Sequence, residues 1–177
     1  RLLANRLSAP LTDPKAIDER LDQVGFLLDA ADIRDHLRAV LKATPDLERA
    51  LSRISLGRGG PRDIATIRDG LLQGAALRDS LAAAADAPAG LAEVRSDLGT
   101  HEELIDRLCQ ALDDDLPLLA RDGGFIRAGF DLHLDELRQL RDESRRLIAG
   151  LEARYRTESG VENLKIKHNN VLGYFIE

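Results

Sequence analysis

The sequence contains no tryptophan, no methionine and one cysteine, and only 3% of its 177 residues are aromatic. With so few rings, the 44% hydrophobic content is carried mostly by leucine and alanine, both good helix formers. Together with 32% charged residues this composition points to long helices. A lone Cys109 excludes an internal disulfide, and a reducing cytosolic setting is the simplest expectation. Cys109 lies among leucines at helical spacing and reads as a small core residue rather than a nucleophile. No apolar run approaches the roughly 20 residues of a membrane span, and no secretory leader is visible. The four histidines, His36, His101, His133 and His168, have no second His or Cys at a ligand spacing, so no metal site is expected. The chain starts mid-pattern at Arg1-Leu-Leu and stops at Glu177 inside an apparent strand, so both ends look like cuts in a longer protein.

The net charge of −6 argues against a protein that coats nucleic acid with a basic surface overall. The charge is uneven, however. Between Arg138 and Lys167 eight basic residues face five acidic ones, about +3, which leaves about −9 for the rest. Any contact with a polyanion therefore belongs near the C-terminal end.

What is present is helix after helix, marked by its own start and stop signals. Leu2 to Ser8, with Arg1, reads as a helix end closed by Pro10. Asp13-Pro14 starts a helix, with Asp as N-cap and Pro in the first turn, and Ile17, Leu21, Val24 and Leu28 give it one apolar face. Asp32 is expected to cap a second helix and Thr44-Pro45 to start a third. Gly57-Arg-Gly-Gly-Pro61 breaks the pattern, and a helix resumes at Pro61 with Asp63 near its positive end and Gly70 and Gly74 as weak points. After a small-residue connector from Ala82 to Gly90 comes a short helix with Leu91, Val94 and Leu98. Thr100-His-Glu-Glu103 matches a capping box.

The last third opens on a glycine-broken loop, Arg121 to Phe130, in which Phe125 and Ile126 suggest a short extended stretch. A helix without internal proline follows from about Asp131 to about Thr157, on the order of 40 Å long. Leu137, Leu140, Ser144, Leu147 and Leu151 alternate by three and four along it, a narrow seam suited to a partner helix. Gly160 is a terminator, and the tail from Asn163 to Glu177 reads as two strands around an Asn169-Asn170…Gly173 turn. The expected fold is mainly α: a multi-helix domain over residues 1–160, its long helix leading into a truncated β hairpin over 161–177. Lys165 and Lys167 alternate with apolar residues and share a strand face. With His168, Asn169 and Asn170 they supply donors suited to phosphate oxygens, which position DNA without reading its sequence. A solvated strand face is the plain alternative. Gly57-Arg-Gly-Gly60 lacks the Gly-Lys-Ser/Thr ending of a phosphate loop and reads as an interhelix turn.

Four stretches carry a family resemblance. Leu7-Ser-Ala-Pro-Leu-Thr-Asp-Pro14 with Ile17, Arg20, Leu21 and Val24 is the first. Asp46-Leu-Glu-Arg49 with Gly59-Gly-Pro-Arg-Asp63 is the second. Arg121-Asp-Gly-Gly-Phe-Ile-Arg-Ala-Gly-Phe-Asp131 with Leu134-Asp-Glu-Leu137 is the third, and Leu164 to Glu177 the fourth. In this order and spacing they resemble the MutS DNA mismatch-repair family, in the core and lever segment that leads into the clamp. Ile64 stands where the family has Leu, and Phe130 where it usually has Tyr.

The resemblance implies a helical lever joining a clamp, which grips the backbone of double-stranded DNA, to an ATPase. In the family a homodimer encircles mismatched DNA and works with other mismatch-repair proteins in the bacterial cytosol, at the nucleoid. Lys165, Lys167, His168, Asn169 and Asn170 then lie where the clamp starts and become the candidate DNA-backbone contacts. ATP with Mg belongs to the full-length protein; this chain has no Walker A sequence, and its single Phe-x-Glu spacing, Phe175-Ile176-Glu177, lies within the clamp-like hairpin stretch rather than in a mismatch-reading segment. Neither mismatch recognition, ATP hydrolysis nor a cofactor is therefore expected of it. The alternative reading of the leucine seam is a helical protein–protein interaction module with no DNA role. A small hydrolase has only scattered carboxylates and one cysteine in its favour.

Overall fold

Proline and aspartate punctuate the helices. A computed structural model describes residues 2–84 and 86–177, so Arg1 of the expected first helix and Ala85 of the connector lie outside the described residues. The elements run α1 (Leu2–Ser8), α2 (Pro14–Asp29), α3 (Ala31–Ala43), α4 (Leu47–Ser55), α5 (Pro61–Ala82), α6 (Ala89–Asp97), α7 (Glu102–Ala111), α8 (Leu132–Ser159), β1 (Ile166–Asn169) and β2 (Gly173–Ile176). The fold is mainly helical with a short antiparallel hairpin, as the composition and periodicity predict. Two compact units result, residues 1–127 and 128–177.

In the first unit α5 is the central helix, packed against α3, α4, α6 and α7. Leu37 of α3, Leu81 of α5 and Leu91 of α6 form its buried cluster, with Phe26, Leu27, Ile33 and Leu77 against them. Pro61 opens α5 fully buried, in the first-turn position where its missing N–H leaves nothing unsatisfied. The Asp63 carboxylate accepts from the Gly60 N–H at 2.8 Å and is gripped by Arg53 Nε of α4 at 3.0 and 3.1 Å. Arg53 Nη2 also donates to the Arg58 carbonyl, so one guanidinium ties the end of α4, the glycine loop and the start of α5. These bonds hold the Asp63 carboxyl below the ordinary carboxylate range, chiefly through the Gly60 N–H.

Three expected helix starts are corrected. Asp32 does not cap α3: the helix already begins at Ala31 after Ala30, which makes no side-chain cap bond. Thr44-Pro45 does not start α4. Thr44 ends α3, its hydroxyl donating back to the Val40 carbonyl at 2.9 Å, and Asp46 caps α4 by accepting from the Arg49 N–H at 3.0 Å. Thr100 does not form a capping box. His101 is the N-cap of α7, in the left-handed region at φ 51° with no side-chain cap bond.

The two glycines of α5 are not alike. A methyl on Gly70 would stand 2.3 Å from Leu47 Cδ2, so Gly70 lets α4 approach closely, whereas nothing lies within 4 Å of such a methyl on Gly74. The extended stretch at Phe125-Ile126 is present. Leu112, 2% exposed, bridges Ile126, while the Asp113 N–H donates to the Phe125 carbonyl at 3.0 Å and the Arg127 N–H to the Ala111 carbonyl at 2.8 Å.

In the second unit α8 has 28 residues, a length of about 42 Å. Asp131 caps it by accepting from the Leu134 N–H at 2.9 Å. Gly160 ends it in the left-handed conformation at φ 69°, which costs a glycine little and turns the chain back. No residue of α8 is buried within this chain; Leu137, Leu140, Leu147 and Leu151 of the seam are all exposed.

Candidate nucleic-acid interface

The hairpin is built by local chemistry. Asn169 Oδ1 accepts from the Val171 and Leu172 N–H groups at 2.9 and 2.7 Å, a side-chain-closed turn that brings the strands together. The register pairs Ile166 with Ile176, Lys167 with Phe175, His168 with Tyr174 and Asn169 with Gly173. One step further out, Lys165 and Glu177 exchange both backbone hydrogen bonds, at 2.8 and 2.9 Å.

Side chains alternate along a strand, and directly paired residues share a face. Lys165 and Lys167 therefore lie on one face, as the spacing predicts; Asn169, expected in the turn, is the last residue of β1 and joins that face, and all three are exposed. His168 is on the opposite face, its ring edge-on to Tyr174 with centroids 4.8 Å apart. Asn170 sits in the turn, exposed, beside the apolar tip residues Val171 and Leu172. Of the five candidate residues, three are brought together, one is turned away, and one stands at the tip. Asn169 serves the turn with its oxygen, which leaves its amide N–H groups as the donors.

The two lysines differ electrostatically. Lys167 pairs with the Glu177 carboxylate, and its hydrogen bond and charge, with a further contribution from Lys165, hold that carboxyl below its usual range. Lys165 has no ion-pair partner among the described residues. Along α8, Arg138, Arg141, Arg154 and Arg156 are paired with Asp135, Asp142, Glu158 and Glu152. Of the eight basic residues between Arg138 and Lys167, this leaves Arg145, Arg146 and Lys165 outside the described ion pairs.

Sequence reasoning missed the attachment of the hairpin to α8. Arg156 Nε donates to the Leu164 carbonyl at 2.7 Å and its Nη2 donates to Glu152 Oε1, while Glu152 Oε2 accepts from the Ile166 N–H at 3.0 Å. The signal was the Glu-to-Arg spacing of four along a helix, which places the two side chains on one face. Leu164 is buried at this attachment, and Ile148 and Leu151 line a shallow apolar groove with Ile166, Tyr174, Phe175 and Ile176.

In the interhelix turn a methyl on Gly59 would meet Ile54 Cγ1 at 2.4 Å, and one on Gly60 the Leu118 carbonyl oxygen at 2.9 Å, so these two glycines pack closely against protein atoms. Among the described residues no three His, Cys, Asp or Glu side chains form a group able to hold a metal ion. No described helix is long and apolar enough to cross a membrane.

Residues 1–165 match the family model described as MutS domain III. The whole chain aligns over 178 residues at 53% identity with the DNA mismatch repair protein MutS of Nitrobacter winogradskyi, covering 20% of that protein. It aligns over 181 residues at 53% identity with the protein of the same name from Rhodopseudomonas palustris strain BisA53, again covering 20% of it. The residues beyond Lys165 lie past the family match but within these alignments. The chain spans about a fifth of the length of the curated relatives it matches. With domain III matched over most of its length and half its residues identical to proteins of that name, the chain belongs to the MutS family.

Proposed function

We propose that this domain III acts within a DNA mismatch-repair protein as the element that holds the DNA backbone and couples that hold to an ATPase domain. Residues 161–177 open the clamp, and α8 is the lever that bears it. The observation that carries the reading is the exposed face of Lys165, Lys167 and Asn169, borne by a 28-residue helix in a chain of this family. Two ammonium groups and an amide donor suit phosphate oxygens and discriminate no base. His168, turned away onto Tyr174, is a support of the hairpin more than a contact, and Asn170 meets the backbone only if the tip does. ATP with Mg would be bound by other domains, and the dimer and the other repair proteins would be engaged in the whole protein. The interaction module without a DNA role is the less favoured reading, because the family match accounts for the same helices.

The test is the salt dependence of duplex binding by the protein that carries this domain. Lys165→Ala with Lys167→Ala is expected to weaken matched and mismatched duplexes alike. The slope of log K against log salt should fall by about 0.9 for each phosphate no longer neutralised. An unchanged slope removes these lysines from the DNA surface.

A further inference from the structure

A two-stranded hairpin is marginal in water and takes its direction from whatever anchors it. Here the anchor is specific. Arg156 holds the carbonyl of Leu164, Glu152 holds the N–H of Ile166, and the two side chains hold each other. The peptide groups so clasped are the two that flank Lys165. On its other side, Lys165 has its own N–H and carbonyl bonded to Glu177. All four backbone polar groups around this one residue are thereby engaged, which leaves its φ and ψ little freedom. The clasp is partly shielded, with side chains 23% exposed at Glu152 and 39% at Arg156, so it is screened less than an ordinary surface pair.

We propose that Glu152 and Arg156 are positioning residues: they form a joint that sets the direction in which Lys165 leaves the hairpin, although neither lies on the lysine face. The inference rests on the DNA-backbone reading above for its consequence, but not for its geometry. A carboxylate is needed because it accepts from two donors at once, and an arginine because its planar fork reaches a carbonyl and a carboxylate together. A lysine at position 156 keeps the charge but presents its donors from a single atom and cannot span both acceptors in that geometry.

The experiment places Arg156→Lys, Glu152→Ala and Glu152→Gln in the 177-residue chain for amide hydrogen exchange, and in the protein that carries this domain for binding to a fully paired DNA duplex across a salt series. Arg156→Lys and Glu152→Ala should speed exchange of the Ile166 amide by about three- to tenfold, while amides in the middle of α8 keep their rates. Glu152→Gln retains an acceptor oxygen for Ile166 and should show the smaller change. In duplex binding, Glu152→Ala should lower the salt slope by up to about 0.9, as Lys165→Ala does, and should add nothing once Lys165 is alanine. Unchanged exchange at Ile166 in both Arg156→Lys and Glu152→Ala overturns the joint. Additive losses from Glu152→Ala and Lys165→Ala overturn its positioning role. If Lys165→Ala itself leaves the slope unchanged, the DNA-backbone reading of that lysine and the role built on it fall together, while the joint is decided by exchange alone.

Discussion

Asp63 shows how much one side chain organises. Its carboxylate satisfies a helix-end N–H at Gly60 and receives Arg53 from the preceding helix. Removing it with Asp63→Ala should cost about 1–2 kcal/mol, the range for removal of a cap, measured by urea unfolding at neutral pH. The pH dependence has a definite sign. The folded-state pKa lies below the unfolded value, so the stabilisation is fully present above the ordinary carboxylate range. It is lost as pH falls through the lowered folded value, so the gap between wild type and Asp63→Ala should close on acidification. A gap that persists unchanged into strong acid would show that the charge is not what stabilises. That Asp63 favours the start of α5 was legible from Pro61 and the spacing. That Arg53 reaches it from α4 was not, because the loop between them carries no signal for where it folds back.

At the scale of the element, α5 and α8 are two long helices with opposite demands. Helical periodicity predicts both, but their glycines and their surroundings separate them. Gly70 and Gly74 look equivalent in sequence, since either lowers helix propensity by about 1 kcal/mol relative to alanine. Only Gly70 faces Leu47 at a distance no side chain could share. Gly74→Ala should therefore raise stability by about 0.5–1 kcal/mol. Gly70→Ala must displace the Leu47 side chain and should be destabilising, by about 1–3 kcal/mol if the side chain cannot swing clear. In a Leu47→Ala background the obstruction is gone and the sign should reverse. Denaturant midpoints of the four variants decide this, and a stabilising Gly70→Ala in the wild-type background would refute the close-packing account. The missed helix starts belong to the same scale. Asp32, Thr44 and Thr100 each have the chemistry of a cap, and at each place the chain begins its helix at a neighbouring residue.

Across the whole molecule, burial divides the chain. The first unit has a leucine core around α5, whereas α8 in the second has no buried residue within this chain. Local stability should follow, with slow amide exchange in α5 and faster exchange in α8. Leu81→Ala, which empties a buried site, should cost about 2–5 kcal/mol and appear in the amides of α5 and α3. The Ile166 amide, in the other unit, should keep its rate; a matching increase there would mean that the units unfold as one. Of the candidate interface, Lys165 and Lys167 were readable because strand alternation is a rule of period two. The opposite placement of His168 followed from the same rule once the strand was established, and its ring contact required the register across the turn. The clasp of Glu152 and Arg156 was legible only as a helical pair, since its targets are backbone atoms with no sequence signature.

The helical class, the start of α5 and the ends of α8, the turn before the second strand, the lysine face and the family were all legible in the bare chain of residues. Each depends on residues close in the chain, where propensity, capping and periodicity act. The tertiary structure alone decided which glycine is a contact, which carboxylate holds which arginine, which lysine is left unpaired, and how the hairpin is fastened to its helix. Those outcomes depend on groups brought together by folding, where close packing admits one neighbour and a hydrogen bond one geometry, and sequence spacing encodes neither.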